Sequence, residues 1–198
     1  VYGTWRSMLQ YLKTAAPSAE IYCYCGEFTY NKTMTKGITK ACQDEMVTPI
    51  HSTLRSGEMC PPAGDFYYGT DNKWHAVIGG SGVDSHPNDY GFCLIADAFL
   101  AAMGYNMYQT SHLHNVTINQ AAGGAITVQS SKQLTNGYVT VHIKPDSNHT
   151  LSSLSIVDSE GNSIDSEYKS VTETNGKTYT GYVFTMPNYD VTITPVWT

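Results

Sequence analysis

Gly79-Gly80-Ser81-Gly82-Val83-Asp84-Ser85-His86-Pro87-Asn88-Asp89-Tyr90-Gly91-Phe92 is the stretch on which the reading of the first half turns. The glycines make a flexible run, and Pro87-Asn88 makes a rigid corner behind the His. The spacing then predicts a helix from about Asn88 to Met103, apolar on Phe92, Ile95, Ala96, Phe99 and Leu100 and closed by Gly104. Asn88 is the expected N-cap, and Asp89 sits where the helix dipole favours a carboxylate. A loop histidine braced by a helix start, with Asp84 close by, suits a catalytic imidazole oriented by a carboxylate. His86 and Asp84 are therefore the candidate catalytic pair. A nucleophile is missing: Ser81 lies in Gly80-Ser81-Gly82, which is not a G-x-S-x-G elbow.

Upstream of this stretch, residues 4–16 place Trp5, Met8, Leu9 and Leu12 at helical spacing. Ile21 to Cys25 reads as a strand, residues 36–47 as a second helix, and Val47 to His51 as a brief strand. Helix, strand, helix, strand favours a parallel sheet covered by helices. Residues 52–75 break the rhythm with Pro61-Pro62-Ala63-Gly64 and Gly69-Thr70-Asp71-Asn72. This long loop carries Tyr67, Tyr68 and Trp74, aromatics suited either to lining a substrate cleft or to anchoring the loop.

After Tyr108 the helical spacing gives way to alternating runs, among them Ala125 to Val128, Tyr138 to Ile143, Leu151 to Val157 and Val191 to Val196. Turns fall between them at Gly123-Gly124, Asn136-Gly137 and Asn175-Gly176, a pattern that predicts a small all-β sandwich. The expected organisation is an α/β portion over 1–108, a linker over 109–114 and a β-sandwich module over 115–198. His112-x-His114 in the linker makes no metal site, because two ligands are too few.

The chain has 198 residues and a net charge of −6. Few Lys or Arg and an acidic balance argue against nucleic acid and against an anionic membrane surface as partners. No apolar run is long enough for a membrane span. The five cysteines, Cys23, Cys25, Cys42, Cys60 and Cys93, fit no zinc spacing, and an odd number cannot all pair internally. Cys23 and Cys25 alternate along a strand and so share one face, where buried free thiols are the expectation. No metal and no cofactor is predicted.

Two resemblances add to this reading. Asp84, His86-Pro87-Asn88-Asp89 and Gly91, with Ile95-Ala96 in the following helix, resemble the last catalytic block of the SGNH (GDSL-type) hydrolases. That resemblance implies an α/β three-layer sandwich portion and a secreted ester hydrolase acting on acyl or acetyl esters, acylated carbohydrates among them. His86 would act as general base, oriented by Asp84, on a Ser supplied from outside this chain. No GDS block is present; Gly64-Asp65-Phe66 puts Phe where Ser belongs, and Asp84 stands two residues before His86 rather than three. An N-terminal fragment or a second copy is thus the expected partner that completes the α/β domain. The second half, through Phe184-Thr185-Met186-Pro187-Asn188-Tyr189-Asp190-Val191, resembles the bacterial surface repeats related to divergent internalin B-type repeats. It implies a secreted or cell-surface location and an alternative function, non-catalytic binding of glycan or protein through the β-module.

Overall fold

The computed structural model describes residues 1–25, 32–51, 60–80, 86–106 and 112–198. These fall into two compact units: residues numbered up to 55 with those from 92 to 108, and residues from 56 to 91 with those from 109 onward.

In the first unit α1 (Tyr2–Ala15) and α2 (Lys32–Asp44) accompany two short strands, β1 (Tyr22–Tyr24) and β2 (Thr48–Ile50). The strands pair in parallel, Tyr22 opposite Thr48 and Tyr24 opposite Ile50. Leu9 from α1, Cys23 and Cys25 from the β1 region, and Ile38, Ala41 and Cys42 from α2 form one buried cluster with Val47. Helix α2 begins four residues earlier than the spacing predicts and stops at Asp44. Beyond it the chain turns at Glu45-Met46, with Met46 at φ 52° and the Val47 N–H returning to the Cys42 carbonyl at 2.9 Å. Arg6 reaches Glu45 at 2.7 Å and Lys13 donates to the Glu45 carbonyl at 2.6 Å, which ties α1 to that turn.

The expected α/β three-layer sandwich is not formed. Among the described residues the parallel sheet has two strands of three residues each, and no further parallel strand extends it. Helix, strand, helix, strand favours a parallel sheet covered by helices; two parallel strands do pair, but a three-layer fold needs a central sheet with helices on both faces. Residues 66–76, where that sheet would have to grow, instead make an antiparallel hairpin, β3 (Phe66–Tyr68) with β4 (Trp74–Ala76). Helix α3 (Asp89–Ala102) also departs from the predicted face. Phe92 is 57% exposed, while Cys93 and Asp97 are buried. A helix apolar nearly all round does not identify its inward side by periodicity.

The second unit is a sandwich of two four-stranded sheets. One has the order β10-β11-β8-β6, the other β7-β5-β12-β9. Their strands are β5 (Leu113–Ile118), β6 (Gly124–Val128), β7 (Lys132–Leu134), β8 (Tyr138–Pro145), β9 (Leu151–Asp158), β10 (Glu167–Thr172), β11 (Thr178–Thr185) and β12 (Val191–Trp197). The period of two sets the core. Val191 and Ile193 of β12 point inward from one sheet and Ile126, Val139, Val141 and Phe184 from the other, with Ile156 and Met186 completing the cluster. Among the described residues of this unit the pairings are antiparallel except β12 with β5, which run parallel over Val191–Ile193. Pro195 lies beyond the last residue paired with β5, where that side of the ladder needs no donor.

Candidate functional site

The hairpin β3–β4 is seated on the β10-β11-β8-β6 sheet by its alternate residues. Phe66 and Ala76 are buried against Tyr179 and Val183, with Trp74 and Val171 at the margin. Two side chains of the sandwich hold its backbone: the Phe66 N–H donates to Thr140 Oγ1 at 2.9 Å, and the Ala76 N–H donates to Glu173 Oε1 at 2.6 Å. The turn closes through the Gly69 N–H to the Lys73 carbonyl at 2.8 Å, with Asn72 at φ 61°. Asn is the non-glycine residue that tolerates this left-handed geometry best.

With Phe66 inward, Tyr67 and Tyr68 are 41% and 48% exposed. Tyr67 stacks on His75 with ring centres 5.4 Å apart. His75 in turn has Nε2 3.0 Å from Asp71 Oδ1 and Nδ1 3.5 Å from Glu173 Oε1. Tyr68 donates its hydroxyl to the Asn72 carbonyl at 2.9 Å and packs edge-on to Trp74. Trp74 meets Tyr138 edge-on at 4.9 Å, and Lys169 Nζ lies 4.5 Å above the Trp74 ring. Tyr138, 43% exposed, is placed by the Asn136-Gly137 turn, which pairs with Met186: the Asn136 N–H donates to the Met186 carbonyl, and the Met186 N–H donates to the Gly137 carbonyl, each at 2.9 Å.

Between the hairpin and the sandwich lies a cleft of about 350 Å³. Tyr67, Tyr68 and Phe66 line it from the hairpin side, Gln129, Gln133, Tyr138 and Thr140 from the sandwich, and Asn88 and Asp89 from the start of α3. Gln133 is fixed by donating to the Tyr138 carbonyl at 2.8 Å, and Gln129 by donating to the Cys60 carbonyl at 2.6 Å. Asp65 closes the inner end with Oδ1 2.8 Å from His142 Nε2. Burial pushes the Asp65 carboxyl above its ordinary pKa, against the opposing pull of His142. Burial likewise raises the Tyr67 phenol, helped by the charges of Glu173 and Asp71, so its hydroxyl stays a donor at neutral pH. Among the described residues, no Lys or Arg lines the cleft.

Of the five residues expected from sequence, Tyr67 and Tyr68 share this cleft. Trp74 faces a separate depression of about 260 Å³ with Asp165, Glu167 and Lys169, on the other side of Tyr138. His86 is exposed two residues before the helix cap, where the Gly91 N–H donates to Asn88 Oδ1 at 2.9 Å. Asp84, with Ser81 and Ser85, lies outside the described residues. Tyr138, Gln129, Gln133 and the Asp65–His142 pair were not legible as site residues. Their one signal is polarity in or beside the strands: Gln133 in β7, His142 within an apolar alternating run, Gln129 just past β6 and Asp65 just before β3.

A second group capable of binding chemistry sits in the first unit. Cys23, Cys25 and Cys42 are all buried, and their Sγ atoms lie within 4.8 Å of one another. Burial pushes the Cys23 and Cys25 thiols above the usual thiol pKa, so both stay protonated at neutral pH. His114 is in β5 rather than in a linker and has Nε2 3.1 Å from Thr135 Oγ1 and 3.3 Å from Asn188 Oδ1, an ordinary strand-to-loop contact. No helix among the described residues is long and apolar enough to cross a membrane.

No protein-family model, no curated protein and no solved structure matches this chain.

Proposed function

We propose that the protein is a non-catalytic binding protein whose sandwich, with its hairpin, holds a neutral oligosaccharide in the cleft between β3–β4 and β6–β8. The observation that carries this reading is the lining of that cleft. Exposed Tyr67, Tyr68 and Tyr138 stand beside the fixed amides of Gln129 and Gln133 and the carboxylate of Asp89. Sugar rings present apolar C–H faces that pack on aromatic rings, and rims of hydroxyls that amides and carboxylates bind in pairs. A carboxylate-bearing cleft with no Lys or Arg among its described lining residues disfavours uronic and sulfated sugars, consistent with the net charge of −6. The resemblance of residues 115–198 to bacterial surface repeats supports a secreted or cell-surface setting, where polysaccharides are at hand. An ester hydrolase that uses His86 draws its support from a three-layer fold that the chain does not form, so the binding reading is preferred.

Calorimetric titration of the full chain with neutral tetrasaccharides of hexose and pentose type tests this. A weak specific complex, with Kd of about 0.1 mM, corresponds to about 5.5 kcal/mol. Tyr68→Ala is expected to weaken it tenfold or more and His86→Ala to leave it unchanged. Heat from peptides but from no saccharide, or hydrolysis of an acetylated sugar lost on His86→Ala, would replace this reading.

A further inference from the structure

We propose that Cys23, Cys25 and Cys42 form a three-thiolate site for one soft metal ion, with monovalent copper the ion that suits it. The first unit places two of these thiols one residue apart in chain alternation and brings the third from α2. Cys25 and Cys42 Sγ atoms stand 4.0 Å apart, and no pair in the trio exceeds 4.8 Å. A metal–sulfur bond of about 2.3 Å in a planar triangle sets the sulfurs about 4.0 Å apart, so the trio needs to contract by less than an ångström. Cys23, Cys25 and Cys42 are 5%, 1% and 0% exposed, among Leu9, Ile38 and Val47.

Three features select the ion. Thiolates prefer soft metals, so Ca²⁺ and Mg²⁺ are excluded. Structural zinc takes four ligands, and no fourth His, Cys, Asp or Glu joins the group among the described residues. A three-coordinate, apolar, water-poor pocket suits Cu(I), which is d¹⁰ and accepts trigonal thiolate coordination. On binding, each ligating thiol releases its proton to solvent and no electron is transferred, provided the copper is supplied as Cu(I). The linear spacing conceals the site. Cys-x-Cys followed by Cys 17 residues later matches no paired-cysteine template, and only the packing of α2 on the β1 region closes it.

The test is anaerobic titration of the reduced full chain with Cu(I) against a competing Cu(I) chelator, with X-ray absorption on the loaded wild-type protein. One ion per chain is expected, with three sulfur neighbours at about 2.3 Å. Cys25→Ser should weaken binding at least a hundredfold, whereas Cys60→Ser, outside the trio, should not change it. Two sulfur neighbours, a nitrogen or oxygen shell, or Cu(I) affinity undiminished in Cys25→Ser would overturn the proposal. The wild-type absorption spectrum decides the matter even if a cysteine variant fails to fold.

Discussion

Asp190 accepts two hydrogen bonds from one residue, from the Asn115 backbone N–H at 2.8 Å and from its side-chain amide at 2.9 Å. These bonds, with smaller help from His114 and Lys132, hold its carboxyl below the ordinary value. A carboxylate whose folded pKa is depressed adds stability that is present above its unfolded pKa, about 3.9, and lost as pH falls through the folded value. Asp190→Asn is therefore expected to flatten the acid limb of stability below about pH 4, a modest effect because the group is half exposed. Urea midpoints of both proteins across that range check it; an unchanged acid limb would refute it. At the same scale, the sequence made Tyr67 and Tyr68 visible as aromatics in a polar loop. It could not show Tyr138 or Gln133 as their partners, because a strand residue looks alike whether it faces solvent or a cleft.

Elements were legible where the signal is local. The period of two and the turn glycines mark most sandwich strands, because a strand's two faces and its turn torsions are properties of a few neighbouring residues. Gly123 shows how tightly one such turn is specified. Its φ is +112°, and a Cβ there would stand 2.6 Å from Trp197 Cβ. Gly123→Ala should lose about 1–3 kcal/mol from strain and overpacking, read as a lower urea midpoint at constant slope. The hairpin was not legible, because what it packs on lies 74 or more residues away: Phe66 meets Thr140 by hydrogen bond and Tyr179 by contact. Phe66→Ala should cost about 3–5 kcal/mol and release amide protection in β3–β4. Hydrogen exchange that stays slow there would show that the hairpin does not depend on this anchor. The face of α3 went unread for a different reason. Continuous apolarity erases the contrast that periodicity needs, so the spacing points Phe92 inward where the fold buries Cys93.

At the scale of the molecule, two of the cores among the described residues differ in make. One is aliphatic and aromatic, built from strand residues such as Ile126, Val141, Phe184 and Ile193; the other contains three thiols among Leu9, Ile38 and Val47. Order of elements pointed to a parallel sheet covered by helices, and the SGNH resemblance implied a three-layer sandwich for the first half. Strand pairing is non-local, and two three-residue strands with a hairpin diverted elsewhere do not make a central sheet. That diversion also creates the cleft on which the functional reading rests. The most direct test is protein-observed NMR of the full chain during titration with a neutral tetrasaccharide. Shift changes confined to Tyr67, Tyr68, Gln129, Gln133 and Tyr138, saturating with a single Kd, are the predicted result. Changes centred on His86, or none at millimolar saccharide, would contradict the account.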